Sequence, residues 1–284
     1  MKYFNSFILF AVILLILVSC KKEDETSQTT QKEIADSLSL LQTLEANKIS
    51  FSGLKWFVKD YEPEFNSINI PSHSSNVRVD SLGKLHLKMS YIDGNFYGAE
   101  IEIDSLLDYG EFIFFLETKI SSFPANCELL LRCCNPNEQN FSELTETGIA
   151  IGNENSKNIS PIKYYAYNPQ SKMPEKHYVN AKIEDETYGS IHKIILVNEA
   201  VTFISFSASD NKENPRNGAK LIYEYTFSKF NKNDLTFFTP NRKQKLIISL
   251  NCFDENQKTE EFEVVFSKII CKSTKTGATD VAAK

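Results

Sequence analysis

The sequence predicts an all-β protein, a sandwich of two antiparallel sheets preceded by a short N-terminal helix. Three observations predict it. Phe (21) and Tyr (12) are plentiful and β-branched residues recur, which favours strands. From Phe51 onward, short runs alternate between apolar and polar residues, as Leu85, Leu87 and Met89 do with the polar residues between them. Turn residues separate these runs without a convincing helical repeat, which is typical of one sandwich domain.

Each further strand is expected where such a run lies between polar turn residues. Asp93-Gly94 is a strong hairpin signal, because both positions of a tight two-residue turn need positive φ. The expected strands cover residues 76–79, 85–89, 96–103, 111–120, 128–133, 147–151, 162–167, 191–197, 201–208, 246–253 and 261–271.

The first nineteen residues have the layout of an export signal. Lys2 is followed by an apolar run from Phe7 to Val18, which is shorter than the roughly 20 residues of a spanning helix. The run ends in Leu17-Val18-Ser19-Cys20, which resembles the lipobox of bacterial lipoproteins. The resemblance implies cleavage before Cys20 and lipid attachment to it. An uncleaved anchor, or a secretion signal with a chance cysteine, is the alternative.

A charged segment follows the cysteine. Lys21-Lys22-Glu23-Asp24-Glu25 resembles the surface-export signal of Bacteroidetes lipoproteins, and it equally fits the start of a solvated linker. The expected location is therefore the outer membrane, lipid-anchored, with display at the cell surface as the further expectation. Several acyl chains would hold the protein firmly, since each buried methylene contributes about 0.8 kcal/mol.

Four segments are expected along the chain: a signal at 1–19, the lipidated cysteine with linker and spacer helix at 20–50, a sandwich domain at 51–272, and a flexible tail at 273–284. Within 31–48, Ile34, Leu38, Leu41 and Leu44 have helical spacing. This helix is interpreted as a spacer packed on the domain, with a partner-binding coiled coil as the alternative.

Charge and cysteine content exclude several functions. The protein has a net charge of −6, whereas a nucleic-acid-binding protein is expected to carry a basic stripe. The four histidines are far apart, so no zinc spacing is present and neither a metal nor another cofactor is expected. Cys127, Cys252 and Cys271 are interpreted as small buried hydrophobic residues. One disulfide bridge remains possible, but the sequence does not show which two cysteines would form it.

Several blocks resemble a group related to glycoside hydrolase family 16, the laminarinase and lichenase-like enzymes. They are the segment from Phe51 to Lys59, the segment from Asn76 to Leu87, Gly98-Ala99-Glu100-Ile101, and Asp108-Tyr109-Gly110-Glu111-Phe112. They cover residues 51–120 well, and later strands only faintly. The resemblance implies a concanavalin-like jelly roll whose concave face forms a glycan cleft.

The family carries its catalytic carboxylates on one strand as Glu-x-Asp-x-Glu, so that all three share one face. Here the corresponding strand is Glu146-Thr147-Gly148-Ile149-Ala150. Glu146 would stand at the nucleophile position, whereas Gly148 and Ala150 would replace the aspartate and the acid/base. Neither can transfer a proton, and losing a general acid alone typically costs about 10²–10⁴-fold in rate. No catalytic residue is therefore expected.

The first hypothesis is a membrane-anchored, non-catalytic jelly roll that binds a polysaccharide. Its candidate ligand-binding residues are Trp56, Asn76, Glu100, Tyr165 and Tyr167. The second is an active glycosidase with relocated acids, Glu100 or Glu143 together with Glu146. The third is a structural or partner-binding lipoprotein whose cleft is filled.

Overall fold

The computed structural model describes residues 47–60, 71–134, 146–152, 162–167, 177–181, 188–208, 219–228, 243–252 and 260–273. The predicted signal, Cys20, the spacer helix up to residue 46 and most of the tail lie outside these residues. Lys48, the last residue assigned to that helix, instead begins the first strand. Among the described residues, no helix combines the length and apolar character that crossing a membrane requires.

Eight antiparallel strands form the first sheet. In spatial order they are β1 (Lys48–Phe51), β2 (Leu54–Val58), β6 (Ala99–Ile103), β15 (Lys245–Cys252), β8 (Cys127–Cys134), β9 (Glu146–Gly152), β10 (Ile162–Tyr167) and β11 (His177–Ala181).

The second sheet is also antiparallel. Its spatial order is β14 (Lys220–Ser228), β13 (Ala200–Ala208), β12 (Tyr188–Val197), β7 (Gly110–Leu116), β16 (Phe262–Ser273), β4 (Leu85–Ile92) and β3 (Val77–Val79), with β5 (Asn95–Tyr97) paired to β4. Within the part of the chain that the structure describes, short 3₁₀ helices lie between strands at Ser74–Asn76 and Ile120–Ser122.

The hairpin between β4 and β5 is confirmed. Asp93 and Gly94 have φ of 50° and 85°, which a type I′ turn requires at both central residues. The same chemistry closes β1 onto β2, where Ser52 and Gly53 have φ of 54° and 74°.

Alternate residues of each strand fill the core between the two sheets. Leu246, Ile248 and Leu250 of β15 contribute to it from the first sheet, and Phe112 and Phe114 of β7 from the second. Because strand side chains alternate, the residues between them point away from the core. The all-β sandwich of two antiparallel sheets is therefore confirmed.

The side of the first sheet that points away from the second sheet is termed the outer face. Pairing register aligns one residue from each of six neighbouring strands across it. This transverse row consists of Phe57, Glu102, Ile247, Arg132, Gly148 and Tyr165. It includes the strand β9 on which the sequence predicts the catalytic positions.

Candidate functional site

Strand β9 presents the three positions that the sequence analysis singled out. Ile149 and Ile151 belong to the core cluster, so the alternate residues Glu146, Gly148 and Ala150 lie on the outer face. Of these three, only Glu146 carries a group that can exchange a proton.

Arg132 on β8 contacts the two carboxylates of this region. Its Nη2 donates a hydrogen bond to Glu100 Oε2 at 2.8 Å, and its Nη1 lies 3.5 Å from Glu146 Oε2. Glu100 and Glu146 are only 8% and 7% exposed. The guanidinium therefore joins β6 to β9 across two intervening strands, β15 and its own β8.

In this cluster, burial and the two ion pairs shift the pKa of Arg132 in opposite directions. Burial by itself lowers the pKa of Arg132, but the neighbouring Glu100 and Glu146 raise that pKa above its ordinary value. Arg132 is therefore charged at neutral pH. Its Nε is buried and, within the described residues, has no hydrogen-bond partner.

Gly148 is the residue that the packing requires at the centre of β9. A Cβ atom there would lie 2.5 Å from the Leu131 carbonyl oxygen and 2.9 Å from the Tyr165 hydroxyl oxygen. It would also lie 3.1 Å from Arg132 Cα. The space in which the family resemblance expects an aspartate side chain is thus taken by the neighbouring strands, and Tyr165 occupies part of it.

Position 150 also lies beside a basic residue. Ala150 is 3% exposed and lies in register with Lys163 of β10. Lys163 is itself buried, at 9% exposure. A lysine therefore neighbours the position at which the family resemblance expects the acid/base carboxylate.

The single tryptophan does not lie on the outer face. Trp56 is fully buried in the core cluster, and its Nε1 donates a hydrogen bond to the Phe51 carbonyl oxygen at 3.3 Å. Its neighbour Phe57 points the other way and is half-buried on the outer face. The aromatic residue that faces outward on β2 is therefore Phe57, which the sequence analysis did not single out.

Asn76 is also engaged within the fold. Its Nδ2 donates hydrogen bonds to the carbonyl oxygens of Tyr97 at 2.9 Å and Gly98 at 3.0 Å. Its Oδ1 accepts one from Ser90 Oγ at 2.6 Å. These bonds fix the 3₁₀ helix at Ser74–Asn76 against β4 and the chain between β5 and β6, so Asn76 serves packing in this structure.

The structure thus brings Glu100, Glu146 and Tyr165 together around Arg132, while Trp56 and Asn76 lie elsewhere. Tyr165 is 1% exposed, so its ring is not open to a ligand here. Tyr167 pairs with Glu146 in the backbone register, but its side chain lies outside the described part of the chain. Glu143, an alternative acid, lies outside it as well.

Lysines surround Phe57 at the other end of the transverse row. The Nζ atoms of Lys48, Lys59 and Lys245 lie 4.6, 6.0 and 5.9 Å from the centroid of its ring. Lys59 and Lys245 also form ion pairs with Glu102 at 2.7 and 3.1 Å. Burial raises the pKa of Glu102, but the two lysines lower it more, so the net pKa lies below its ordinary value.

The sequence carries a signal for Arg132 and for Phe57, neither of which was among the predicted site residues. Arg132 is the one charged residue in the middle of an apolar strand, Leu129-Leu130-Leu131-Arg132-Cys133-Cys134. Phe57 alternates with Trp56 and Val58, so one of these two sets had to face away from the core.

Comparison with known proteins identifies the fold. No protein-family model and no curated protein matches the sequence. Among solved structures, the β-glucanase of Bacillus licheniformis is similar at 12% identity with a TM-score of 0.55, over 79% of this chain and 94% of that one. A glycoside hydrolase family 16 endo-glucanase of Bacteroides ovatus is similar at 12% identity and a TM-score of 0.56, over 76% and 94%.

A third similar structure is a protein of Mycobacterium tuberculosis described as an immunostimulatory antigen and pseudo β-1,3-glucanase. It shares 11% identity with a TM-score of 0.53, over 76% of this chain and 91% of that one. At these identities the similarity shows the fold, a jelly-roll sandwich like that of the family 16 glucanases, which confirms the predicted architecture.

Proposed function

We propose that this protein is a membrane-anchored lipoprotein whose jelly-roll domain binds a polysaccharide on the outer face of its first sheet without cleaving it. The observation that carries the proposal is the composition of β9 and its neighbours. Gly148 and Ala150 stand where the family resemblance expects two acids, and Arg132 binds both carboxylates that remain nearby.

The arrangement of the two remaining carboxylates argues against retaining hydrolysis. That mechanism needs two carboxyl groups about 5–5.5 Å apart, open to the sugar bond between them. Glu100 and Glu146 instead contact one guanidinium, and both are nearly inaccessible. A substrate bond between them would have to displace Arg132 from two ion pairs.

The transverse row supplies surface for a glycan. Phe57 offers an aromatic ring, and Glu102 and Arg132 offer polar groups, with the apolar Ile247 between them. Such a mixture of an apolar floor and a few placed polar groups is typical of ligand sites. Since strands lie about 4.8 Å apart, the four residues extend over about 14 Å across the sheet, which suits a short oligosaccharide.

The similar structures support this ligand class. A Bacteroides ovatus family 16 protein from a mixed-linkage glucan system was solved in complex with a G4G4G3G product, at 11% identity and a TM-score of 0.56. A Mycobacterium tuberculosis protein of similar fold is described as a pseudo β-1,3-glucanase.

The anchor part of the proposal rests on the sequence. Lys2, the apolar run to Val18 and the segment Leu17-Val18-Ser19-Cys20 together support lipidation at Cys20. An outer-membrane location, with display at the cell surface, gives a binding domain access to extracellular polysaccharide.

The test combines a hydrolysis assay with a glycan array. The full chain, purified in detergent, is incubated with β-1,3 and β-1,4 glucans, and reducing ends are measured. We expect no turnover above that of the Glu146→Gln variant. Robust turnover that Glu146→Gln abolishes would establish the relocated-acid glycosidase instead.

On the array, we expect binding to at least one polysaccharide, weakened about tenfold or more in Phe57→Ala. The matched control is Phe115→Ala. It removes a half-buried ring from the side of the second sheet that points away from the core, and it should leave binding unchanged. Equal losses in both variants would place the ligand elsewhere.

One observation favours a second candidate, a partner-binding lipoprotein with a filled cleft. Ser249, Ala150 and Tyr165 are 0%, 3% and 1% exposed, although all three lie on the outer face. Silence across all polysaccharides on the array would favour this candidate.

A further inference from the structure

Two of the cysteines lie directly opposite each other at the ends of neighbouring strands. Cys127 begins β8 and Cys252 ends β15, and the antiparallel register pairs these two residues. Each is 1% exposed and belongs to the core cluster, so both side chains point to the same side of the sheet. The Cys127 thiol is in hydrogen-bonding contact with Cys252.

We propose that Cys127 and Cys252 form a disulfide bond when the chain folds in an oxidising compartment. Directly opposed residues of an antiparallel pair have Cβ atoms about 4.5–5.5 Å apart. A disulfide needs Cβ atoms about 3.5–4.5 Å apart and Cα atoms about 4.4–6.8 Å apart. Only a small adjustment at the strand ends therefore separates the two thiols from a bond.

No other two of the described cysteines occupy paired positions in a strand ladder. Cys133 lies opposite Leu246 on one side and Thr147 on the other. Cys134 points to the outer face and lies opposite Lys245 and Glu146. Cys271 belongs to the second sheet and lies opposite Phe112. Cys127 and Cys252 are the one pair that a ladder position brings together within the described residues.

The bond forms by thiol–disulfide exchange with the disulfide form of an oxidoreductase, or with oxidised glutathione in vitro. The Cys127 thiolate attacks the oxidant disulfide and forms a mixed disulfide, releasing one oxidant sulfur as a thiol. The Cys252 thiolate then attacks the Cys127 sulfur and releases the second oxidant thiol. Two protein thiols are oxidised and one oxidant disulfide is reduced to two thiols.

Burial determines when this exchange happens. The hydrogen bond to Cys252, together with burial, raises the pKa of the Cys127 thiol. Because the thiolate is the nucleophile, the folded and reduced protein should resist oxidation. The bond therefore forms during folding, before β8 and β15 close the core over the two sulfur atoms.

Peptide mapping of the exported full chain tests the pairing. Free thiols are blocked in denaturant without reductant, and trypsin then cuts after Lys119, Arg132, Lys245 and Lys258. We expect the peptide 120–132 to be linked to the peptide 246–258. A bond between other cysteine peptides, or a blocked thiol at both Cys127 and Cys252, would overturn the proposal.

Thermal unfolding supplies an independent readout. Protein refolded under reducing conditions should melt roughly 5–15 °C lower than the oxidised protein, because the bond closes a long loop. In Cys127→Ala/Cys252→Ala the melting temperature should no longer respond to reductant. Cys271→Ala is the matched control and should keep both the linked peptide and the response. The mapping needs no variant, so a double variant that fails to fold still leaves the pairing decided.

Discussion

At the scale of single residues, Arg132 holds the centre of the outer face together. Its two ion pairs are largely removed from water, and its side chain is 20% exposed while those of Glu100 and Glu146 are 10% and 6% exposed. Charges in such surroundings have lost much of their hydration, and only their partners compensate for this loss. Removing one member of the cluster should therefore cost more than removing a member of a surface pair.

The variant Arg132→Leu tests this cost. It leaves Glu100 and Glu146 without their guanidinium, and we expect the free energy of unfolding to fall by about 2–4 kcal/mol. Urea denaturation monitored by tryptophan fluorescence measures it, since the one tryptophan, Trp56, is in the core.

The matched control for Arg132→Leu is Lys88→Ala. Lys88 and Glu261 form a 2.7 Å ion pair whose side chains are 40% and 50% exposed, and such pairs contribute about 0–1 kcal/mol. If both variants lose the same small amount, the cluster around Arg132 is not the stabilising centre that its burial indicates. In the triple variant Arg132→Leu/Glu100→Gln/Glu146→Gln, part of the lost stability should return.

Which residues of the site could be predicted depends on where their determinants lie. Gly148 and Ala150 could be identified from the sequence because the Glu-x-Asp-x-Glu motif has two-residue spacing along a strand. Once Glu146 is placed at the first position of the motif, Gly148 and Ala150 stand at the other two. Arg132 was missed because its contacts with Glu100 and Glu146 arise from strand order, which the sequence does not display. Trp56 was predicted to bind the ligand because of its residue type, whereas Phe57 was not. Only the burial of the two side chains in the fold shows that Phe57 is the one that faces outward.

At the scale of strands, a buried hydrogen-bonded chain links β12, β13 and β10. His192 is fully buried, with Nε2 2.7 Å from Ser190 Oγ and Nδ1 2.8 Å from Ser205 Oγ. Tyr164 of β10 donates to Ser205 Oγ at 2.7 Å, which connects the first sheet to the second. Burial lowers the pKa of His192 to about 3, so this histidine is neutral in the folded protein at neutral pH.

This depressed pKa predicts a stability that falls with acidification. Between the ordinary histidine pKa of about 6.5 and the folded value of about 3, the unfolded chain binds a proton that the folded chain does not. The free energy of unfolding should therefore decrease as pH falls through this range. Urea denaturation at several pH values between 7 and 4 measures the slope.

The variant His192→Gln isolates that contribution. It should be less stable at pH 7, because the hydroxyls around it lose a partner, and its stability should depend less steeply on pH. His86→Gln is the control, since His86 lies on the outside of the second sheet beside Asp80 and Glu263. The carboxylates whose pKa values are lowered in the fold, such as Glu102 and Glu111, contribute a decrease of the same sign in every variant. An unchanged slope in His192→Gln would assign the whole acid response to those carboxylates.

Strands were predictable where alternation or a turn marks them. Residues 162–167 were predicted at the bounds of β10, and most other strands within a few residues. β1, β2, β11 and β14 were not among the expected strands. β14 was missed although Tyr223, Tyr225 and Phe227 alternate with polar residues, and it is an edge strand on which Leu221 and Tyr223 remain exposed. The order of strands in each sheet depends on contacts between distant segments, which local patterns do not encode.

At the scale of the whole molecule, the sandwich and the segment before it have separate roles in the proposed function. The domain from β1 to β16 contains its own core, and both sheets contribute to it. A binding domain of this kind acts at a cell surface only if something holds it there. The proposed lipid on Cys20 would do so without any contribution from the sandwich.

Cys20→Ala is therefore expected to change location while leaving folding intact. Cells expressing the full chain are labelled with a radioactive fatty acid and separated into membrane and soluble fractions. The wild-type chain should carry label and sediment with the membrane. Cys20→Ala should carry no label, because acylation requires the thiol.

The control for Cys20→Ala is Cys271→Ala, which removes a half-buried cysteine of β16 and should keep both label and location. Label that persists in Cys20→Ala would place the lipid elsewhere, and an unlabelled wild-type chain in the membrane fraction would favour an uncleaved N-terminal anchor. Binding of polysaccharide by the solubilised Cys20→Ala chain should equal that of the wild type, since none of the residues of the transverse row changes.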